Sequence, residues 1–298
     1  MTRLTLPITS LATLVICAFY AVPAQAQTRV FVAAQGSDSN PCTFAAPCRT
    51  FQHAHNVVAA SGEIDVLDPA GYGAVTITKS ISIQGHGFSG ISPASSTTAI
   101  TIAAGATDIV NLSGLLIDGG SIGLHGILFT TGYALTIEDS IVRNLTSDGI
   151  QFFPSATSRL SVTRSIISSN AGNGVLVQPT GSGVATVVFD HVHTEYNGSN
   201  GLYVNDQVST GGSVYGSVTD SVSSHNGTGY RAARFNGTLM LVRSLAASNV
   251  TGIFAVGTIN ISQMTIVNNI TDCNGGGIFS YGDNIVDQSC SVFANQKL

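Results

Sequence analysis

The sequence contains no tryptophan, and charged residues make up only 9% of its 298 positions. Beyond the first 26 residues only two lysines remain, Lys79 and Lys297. No cluster of basic residues exists to neutralise a phosphate backbone, so the composition argues against a nucleic-acid partner. No two aspartates are adjacent, and no apolar run after residue 26 is long enough to span a bilayer. Helix-forming sequence is also scarce. Glycine (33 residues), Ser, Thr and Asn dominate instead, which suits short strands joined by tight turns.

The first 26 residues read as an export signal. Arg3 supplies the positive start, and the apolar run Leu11 to Val22 is too short for a comfortable span. Ala24-Gln25-Ala26 supplies small residues for cleavage after Ala26. The expected location is therefore secreted or periplasmic, with no membrane span once the signal is removed. Removing Arg3 leaves ten basic residues against sixteen acidic ones. Four cysteines then remain, and an even number in an exported chain suggests disulfides. Cys42 and Cys48 enclose a short loop, while Cys273 and Cys290 flank the last repeat. These pairings are the expected bridges, because neither pair has zinc-finger spacing to a second pair or to histidines.

What is abundant is repetition. The stretch LTIEDSIVRNLTSDGIQFF at 135–153 returns as LSVTRSIISSNAGNGVLV at 160–177 and VVFDHVHTEYNGSNGLYV at 187–204. Looser copies begin at Gly216, Leu239 and Ile259. Glycines followed by an apolar residue fall at Gly126, Gly149, Gly174, Gly201, Gly229, Gly252 and Gly277, at steps of 23, 25, 27, 28, 23 and 25 residues. Such a period signals stacked coils, not one globular core. Alternation at Val75/Ile77, Ile81/Ile83, Leu135/Ile137 and Leu160/Val162 points one side chain inward and the next outward. Coils would then hydrogen-bond in parallel, about 4.8 Å apart. Asn144, Asn170, Asn197, Asn226, Asn249 and Asn269 recur after a strand, where amides can bond to copies of themselves in neighbouring coils. Thr50 to Ala60 is the one persuasive helix, capped by Thr50 and placed to cover the open end of the stack. The organisation expected is a signal over 1–26, a strand, disulfide loop and capping helix over 27–62, and repeats over 63–298.

With these asparagine rows, Gly-apolar steps and capping helix, the chain resembles the right-handed parallel β-helix superfamily, the pectate-lyase-like fold. The opening VFVAAQGSDSNPCTFAAPCRTFQHA is similar to exported bacterial β-helix proteins of unassigned activity. The resemblance implies an all-β, single-stranded parallel solenoid over nearly all of the mature chain. Chemistry does not follow from it, since one scaffold carries many activities. Polygalacturonase-like hydrolases in the superfamily carry Asp-Asp and Gly-His-Gly motifs; here only Gly85-His86-Gly87 is present, and a glycosidase needs two carboxyl groups across one bond. Pectate lyases carry a Trp-x-Asp-His segment and an arginine motif. The nearest matches are Phe189-Asp190-His191 and Arg231-Ala232-Ala233-Arg234.

Two candidate sites remain. Asp190, His191, His193 and Glu195 form the densest polar cluster, with His191, His193 and Glu195 on one face if the strand continues. Aligned by residue type, Asp139, Arg164, Asp190, Asp220 and Arg243 occupy one position on successive coils. Asp190 beside Asp220 would repel, and His191 or a bound calcium ion would relieve them; a solvated charge ladder with no ion is the competing reading. The second candidate is the outward row after each Gly-apolar step: Gln151/Phe153, Leu176/Gln178, Tyr203/Asn205, Arg231/Ala233, Phe254/Val256 and Phe279/Tyr281. Gln178, Tyr203, Asn205, Arg231 and Tyr281 offer rings to stack on sugars and polar groups to bond hydroxyls; long turns or another subunit could equally cover this face. Three functions stay open: a polysaccharide-binding protein, a polysaccharide lyase or hydrolase, and a structural or adhesive surface protein.

Overall fold

The computed structural model describes residues 27–206, 211–233, 236–288, 290 and 293–294. The expected signal, Met1–Ala26, lies outside the described residues, as does Arg234. Every strand pairing is parallel, and each strand meets its equivalent one coil later. A representative coil runs through three strands: Ala134–Glu138, Ile141–Arg143 and Ile150–Phe152. The first two belong to a continuous twenty-stranded sheet that bends at a corner, and the third to a nine-stranded sheet. Three faces result, named here face 1, face 2 and face 3 in that order. This is the all-β parallel solenoid expected from the repeat.

The core is a set of aligned rows. Leu135, Leu160, Val187, Gly216, Leu239 and Ile259 stack in register, as do Ile137, Val162, Phe189, Val218, Leu241 and Ile261. Apart from Gly216, all of these are buried. Each apolar side chain meets its counterparts above and below, so hydrophobic burial continues unbroken along the axis.

Corners follow rules the residue types only partly reveal. Between faces 1 and 2 the residue at the bend is left-handed in every coil from Asp139 on: Asp139, Arg164, His191, Asp220, Arg243 and Gln263 have φ of 50°, 46°, 53°, 48°, 46° and 54°. The charge row therefore contains His191, not Asp190. Asp190 instead ends the preceding strand, in register with Thr163 and Thr219. Shared backbone geometry, not residue type, sets the alignment. At four of these bends the next residue is a serine that links coils: Ser165 Oγ accepts from the Ser140 N–H (3.1 Å) and Ser244 Oγ from the Ser221 N–H (3.1 Å).

The corner between faces 2 and 3 carries the asparagines. From Asn197 on, each amide oxygen accepts two bonds from the coil before it, from the backbone N–H and side-chain Nδ2 of the preceding asparagine. For Asn226 accepting from Asn197 these are 2.9 and 3.0 Å, and for Asn249 accepting from Asn226 they are 2.9 and 3.2 Å. Asn170, Asn197, Asn226, Asn249 and Asn269 are all buried. Asn144 is not a member: it holds the left-handed bend, φ 58°, and Leu145 takes the ladder position, donating its N–H to Asn170 Oδ1 at 3.2 Å. Asn144 sits where later coils have Ser169, Tyr196, His225, Ser248 and Asn268, all with φ near that value.

The recurring glycines answer to close approach. A Cβ at Gly201 would lie 2.1 Å from Ser223 Oγ and 2.8 Å from the Gly229 carbonyl oxygen. Gly277 does not continue the series. Gly252 is followed one coil later by Asp272, and Ile278 pairs with Ile259 on face 1.

At the N-terminal end, Gln27–Val32 pairs with Val58–Val66 and so forms the first rung of the same sheet that the later coils extend. The helix is shorter than its sequence pattern: it spans Phe51–Val57, and Val58 is already extended and paired with Gln27. Thr50 caps it by accepting from the His53 N–H (3.1 Å), and Asp38 fixes Thr50 through its hydroxyl at 2.8 Å. Phe51, Ala54 and His55 are buried, with Phe51 against Tyr72 at 5.2 Å between ring centres. The Cys42–Cys48 and Cys273–Cys290 disulfides join as expected, with Cα atoms 4.6 and 4.9 Å apart.

His55 gives this cap a pH dependence. Its Nε2 accepts the Thr78 N–H at 3.2 Å, and Nδ1 is buried without a partner. Burial, reinforced by the charge of Lys79, holds its pKa below the ordinary 6.5. The unfolded chain therefore binds the proton first, and stability falls as pH drops below about 6.5 toward the depressed value. Thermal melts from pH 7.5 to 5 are expected to show a falling Tm, with a flatter profile in His55→Gln; equal slopes for both would contradict this role.

Candidate functional site

Face 3 carries the outward row singled out from the sequence. The register Leu128–Gln151–Leu176–Tyr203–Arg231–Phe254 is continuous, one residue per coil. Inward neighbours Ile150, Val175, Leu202, Tyr230 and Ile253 are buried, which turns the named residues away from the core, although Gln151 and Leu176 are covered as well. Tyr203, Arg231 and Phe254 are half-buried and form a sandwich: the guanidinium carbon lies 4.7 Å from the Tyr203 ring centre and 5.1 Å from that of Phe254. Parallel stacking of coils dictates this contact, because equivalent residues sit about one strand spacing apart. The rings attract the cation through their quadrupoles. Arg231 Nε is buried with no hydrogen-bond partner, and among the described residues Arg231 has no carboxylate partner.

Two residues further along each strand lie Phe153, Gln178, Asn205, Ala233 and Val256. Asn205 Nδ2 donates to Gln178 Oε1 at 3.4 Å. The structure thus brings Gln178, Tyr203, Asn205 and Arg231 together. Tyr281 is elsewhere: its N–H donates to the Ile261 carbonyl on face 1, following the strand Ile278–Ser280. It was placed on the strip through Gly277, whose coil closes differently.

A third row on face 3 was not singled out from the sequence. It consists of His125, Asp148, Asn173 and Asn200, each just before a row glycine. Asn200 Nδ2 donates to Asn173 Oδ1 (2.6 Å), and Asn173 donates to Asp148 Oδ1 through its N–H (2.6 Å) and Nδ2 (2.8 Å). Asp148 Oδ2 accepts from Gln151 Nε2 at 2.7 Å, which ties this row to the strip. Burial holds the His125 pKa below its ordinary value, with the Asp148 charge opposing. The signal was present: a polar residue precedes Gly126, Gly149, Gly174 and Gly201 in turn.

The proposed cation cluster also assembles. Asp190, His191 and Asp220 offer atoms within 4.8 Å of one another. Their oxygens are engaged, however. Arg243 donates to both oxygens of Asp220 (2.9 and 2.7 Å) and holds its carboxyl below the usual carboxylate range. Asp190 accepts from Thr219 Oγ1 at 2.9 Å and faces His191 Nδ1 at 3.0 Å. Because His191 forms the bend, it does not share a strand with His193 and Glu195, which project from face 2. Calcium takes roughly six to eight oxygens. Two carboxylates, one already clamped by arginine, fit that demand poorly.

No protein-family model and no curated protein matches the chain. Solved structures do. Pectate lyase Pel9A superposes with a TM-score of 0.65 at 17% identity, covering 90% of this chain and 78% of that one. The alginate lyase of Paenibacillus sp. str. FPU-7 gives 0.53 at 14% identity, covering 84% and 99%. A rhamnogalacturonan lyase gives 0.51 at 15% identity, covering 90% and 84%. At these identities the likeness is one of fold, and the fold is the pectate-lyase-like parallel β-helix.

Since Asp220 is already paired, adding calcium to metal-free protein is expected to leave the Tm within about 1 °C. A rise of several degrees, abolished by Asp190→Asn, would contradict that expectation and establish a cation site.

Proposed function

We propose that the protein binds polysaccharide along the outward strip of face 3. The single observation that carries this reading is the Tyr203–Arg231–Phe254 sandwich beside the amides of Gln178 and Asn205. The two rings cover the guanidinium faces, so the row presents ring edges and guanidinium N–H groups, which can contact successive sugars and donate to their hydroxyls. The partly exposed Gln178 amide, held by Asn205, lies beside them to bond hydroxyls. Three solved structures with this fold are named as lyases of pectate, alginate and rhamnogalacturonan, which supports a polysaccharide as the ligand class. The two disulfides and the signal expected over residues 1–26 support work outside the cytoplasm.

A second reading, a lyase or hydrolase, is favoured by one observation. Burial lowers the pKa of His125 on the same face, which favours its neutral form, one coil from the carboxylate of Asp148. A neutral imidazole is a competent proton acceptor. This reading expects new reducing ends or unsaturated products from some glycan, and their loss in His125→Ala.

On a glycan array, mature protein should bind at least one polysaccharide. Tyr203→Ala and Arg231→Ala should each weaken that binding roughly tenfold or more, as expected for losing a stacking partner, while Tm falls by only a few degrees. Silence across the array, or binding untouched by both changes, would remove the reading and leave a structural or adhesive role.

A further inference from the structure

Face 2 carries two outward rows: Asp118, Arg143, Ser168, Glu195, Ser224, Ala247 and Val267 form one that is polar over most of its length, and the other is different in kind. The inward residues of the face, Val142, Ile167, Ala246 and Ile266, are fully buried, so the residues preceding them point outward. That outward row, in register, is Leu116, Ile141, Ile166, His193, Val222, Leu245 and Thr265. It is largely aliphatic, and Ile166 is 40% exposed. Six coil steps of about 4.8 Å make it about 29 Å long. Leu116, Ile141, Val222 and Leu245 are half-buried, and a row of this kind on an outer face is suited to contact with a partner.

The bend row beside it identifies the partner. From Asp139 it reads acid, base, imidazole, acid, base: Asp139, Arg164, His191, Asp220, Arg243. Reversed, the same row reads base, acid, imidazole, base, acid. Two copies facing each other with solenoid axes antiparallel would therefore set Asp139 opposite Arg243 and Arg164 opposite Asp220, at both ends alike. The aliphatic row obeys the same reversal: Ile141 would meet Leu245, Ile166 would meet Val222, and His193 would lie on the axis. Both rows share one centre, the coil of His191 and His193. We propose that face 2 is a homodimer interface, with a two-fold axis running along the strands through that coil.

Within each copy the charges already pair between coils, Arg164 with Asp139 at 2.8 Å and Arg243 with Asp220 at 2.7 Å. Each is more than half exposed on the arginine side, so apposition converts two screened pairs into one four-membered network. At the axis Glu195 meets its own copy. Asp190 does the same, and within each copy His193 Nδ1 lies 3.2 Å from Glu195 and His191 Nδ1 3.0 Å from Asp190, so an imidazole accompanies each acid. With the axes parallel, the two-fold would carry the bend row of one copy to the opposite edge of the interface, and these charges would not meet. Isologous, self-complementary patches are what closed two-fold dimers require. Face 3 stays open in this dimer.

Light scattering on the mature protein tests it, with cysteine substitutions read under mild oxidation. The expected mass is twice that of one chain. Arg164→Glu should weaken dimerisation roughly tenfold or more with little change in Tm, since the side chain is exposed. His193→Cys should crosslink to itself. Ile141→Cys alone should not, yet should crosslink when mixed with Leu245→Cys. A monomer at the highest soluble concentration, a trimer, or self-crosslinking of Ile141→Cys would overturn the proposal.

Discussion

The hydrogen bond on which the molecule most depends runs from one asparagine to the next along the corner between faces 2 and 3. It is a buried amide–amide contact between coils, doubled by a backbone N–H at each step. A bend in a buried chain leaves polar backbone groups pointing inward, and each would cost stability if unpaired. The asparagine satisfies them and at the same time joins its coil to the neighbours. Bend chemistry and coil register are therefore a single constraint.

Register then makes function a matter of rows. A strip on face 3 exists only because Tyr203, Arg231 and Phe254 come from three coils stacked in phase. The stripe and charge row of face 2 exist for the same reason. A one-residue slip would turn each row inward and bury it in the core. Loops between strands can vary in length without this penalty, because they leave the stack at fixed points and return to it. That is why coil lengths range so widely while the rows stay straight.

The fold was legible because stacking imposes a period, and a period survives in sequence. The cap, both disulfides and the placement of Gln178, Tyr203, Asn205 and Arg231 on one face followed from the pattern and the spacing. What stayed hidden depended on backbone angle. Asn144 and Asn170 look alike, but one occupies a left-handed bend and the other the ladder. His191 was passed over for Asp190 because charge was aligned where φ should have been, and Tyr196 and His225 in bends otherwise taken by Ser or Asn gave no chemical cue. Tyr281 was misplaced because the last coil closes after twenty residues from Gly252, at Asp272. The polar row through His125 and Asp148 was visible but unread, since its members differ in type from coil to coil.

The most direct measurement compares the stability of Asn226→Ala with that of Asn144→Ala by chemical denaturation. The ladder account predicts a loss of at least about 2 kcal/mol for Asn226, whose removal leaves several buried partners unpaired, and clearly less for Asn144 at its bend. Equal losses, or a tolerated Asn226→Ala, would contradict it and with it the coil register on which both faces rest.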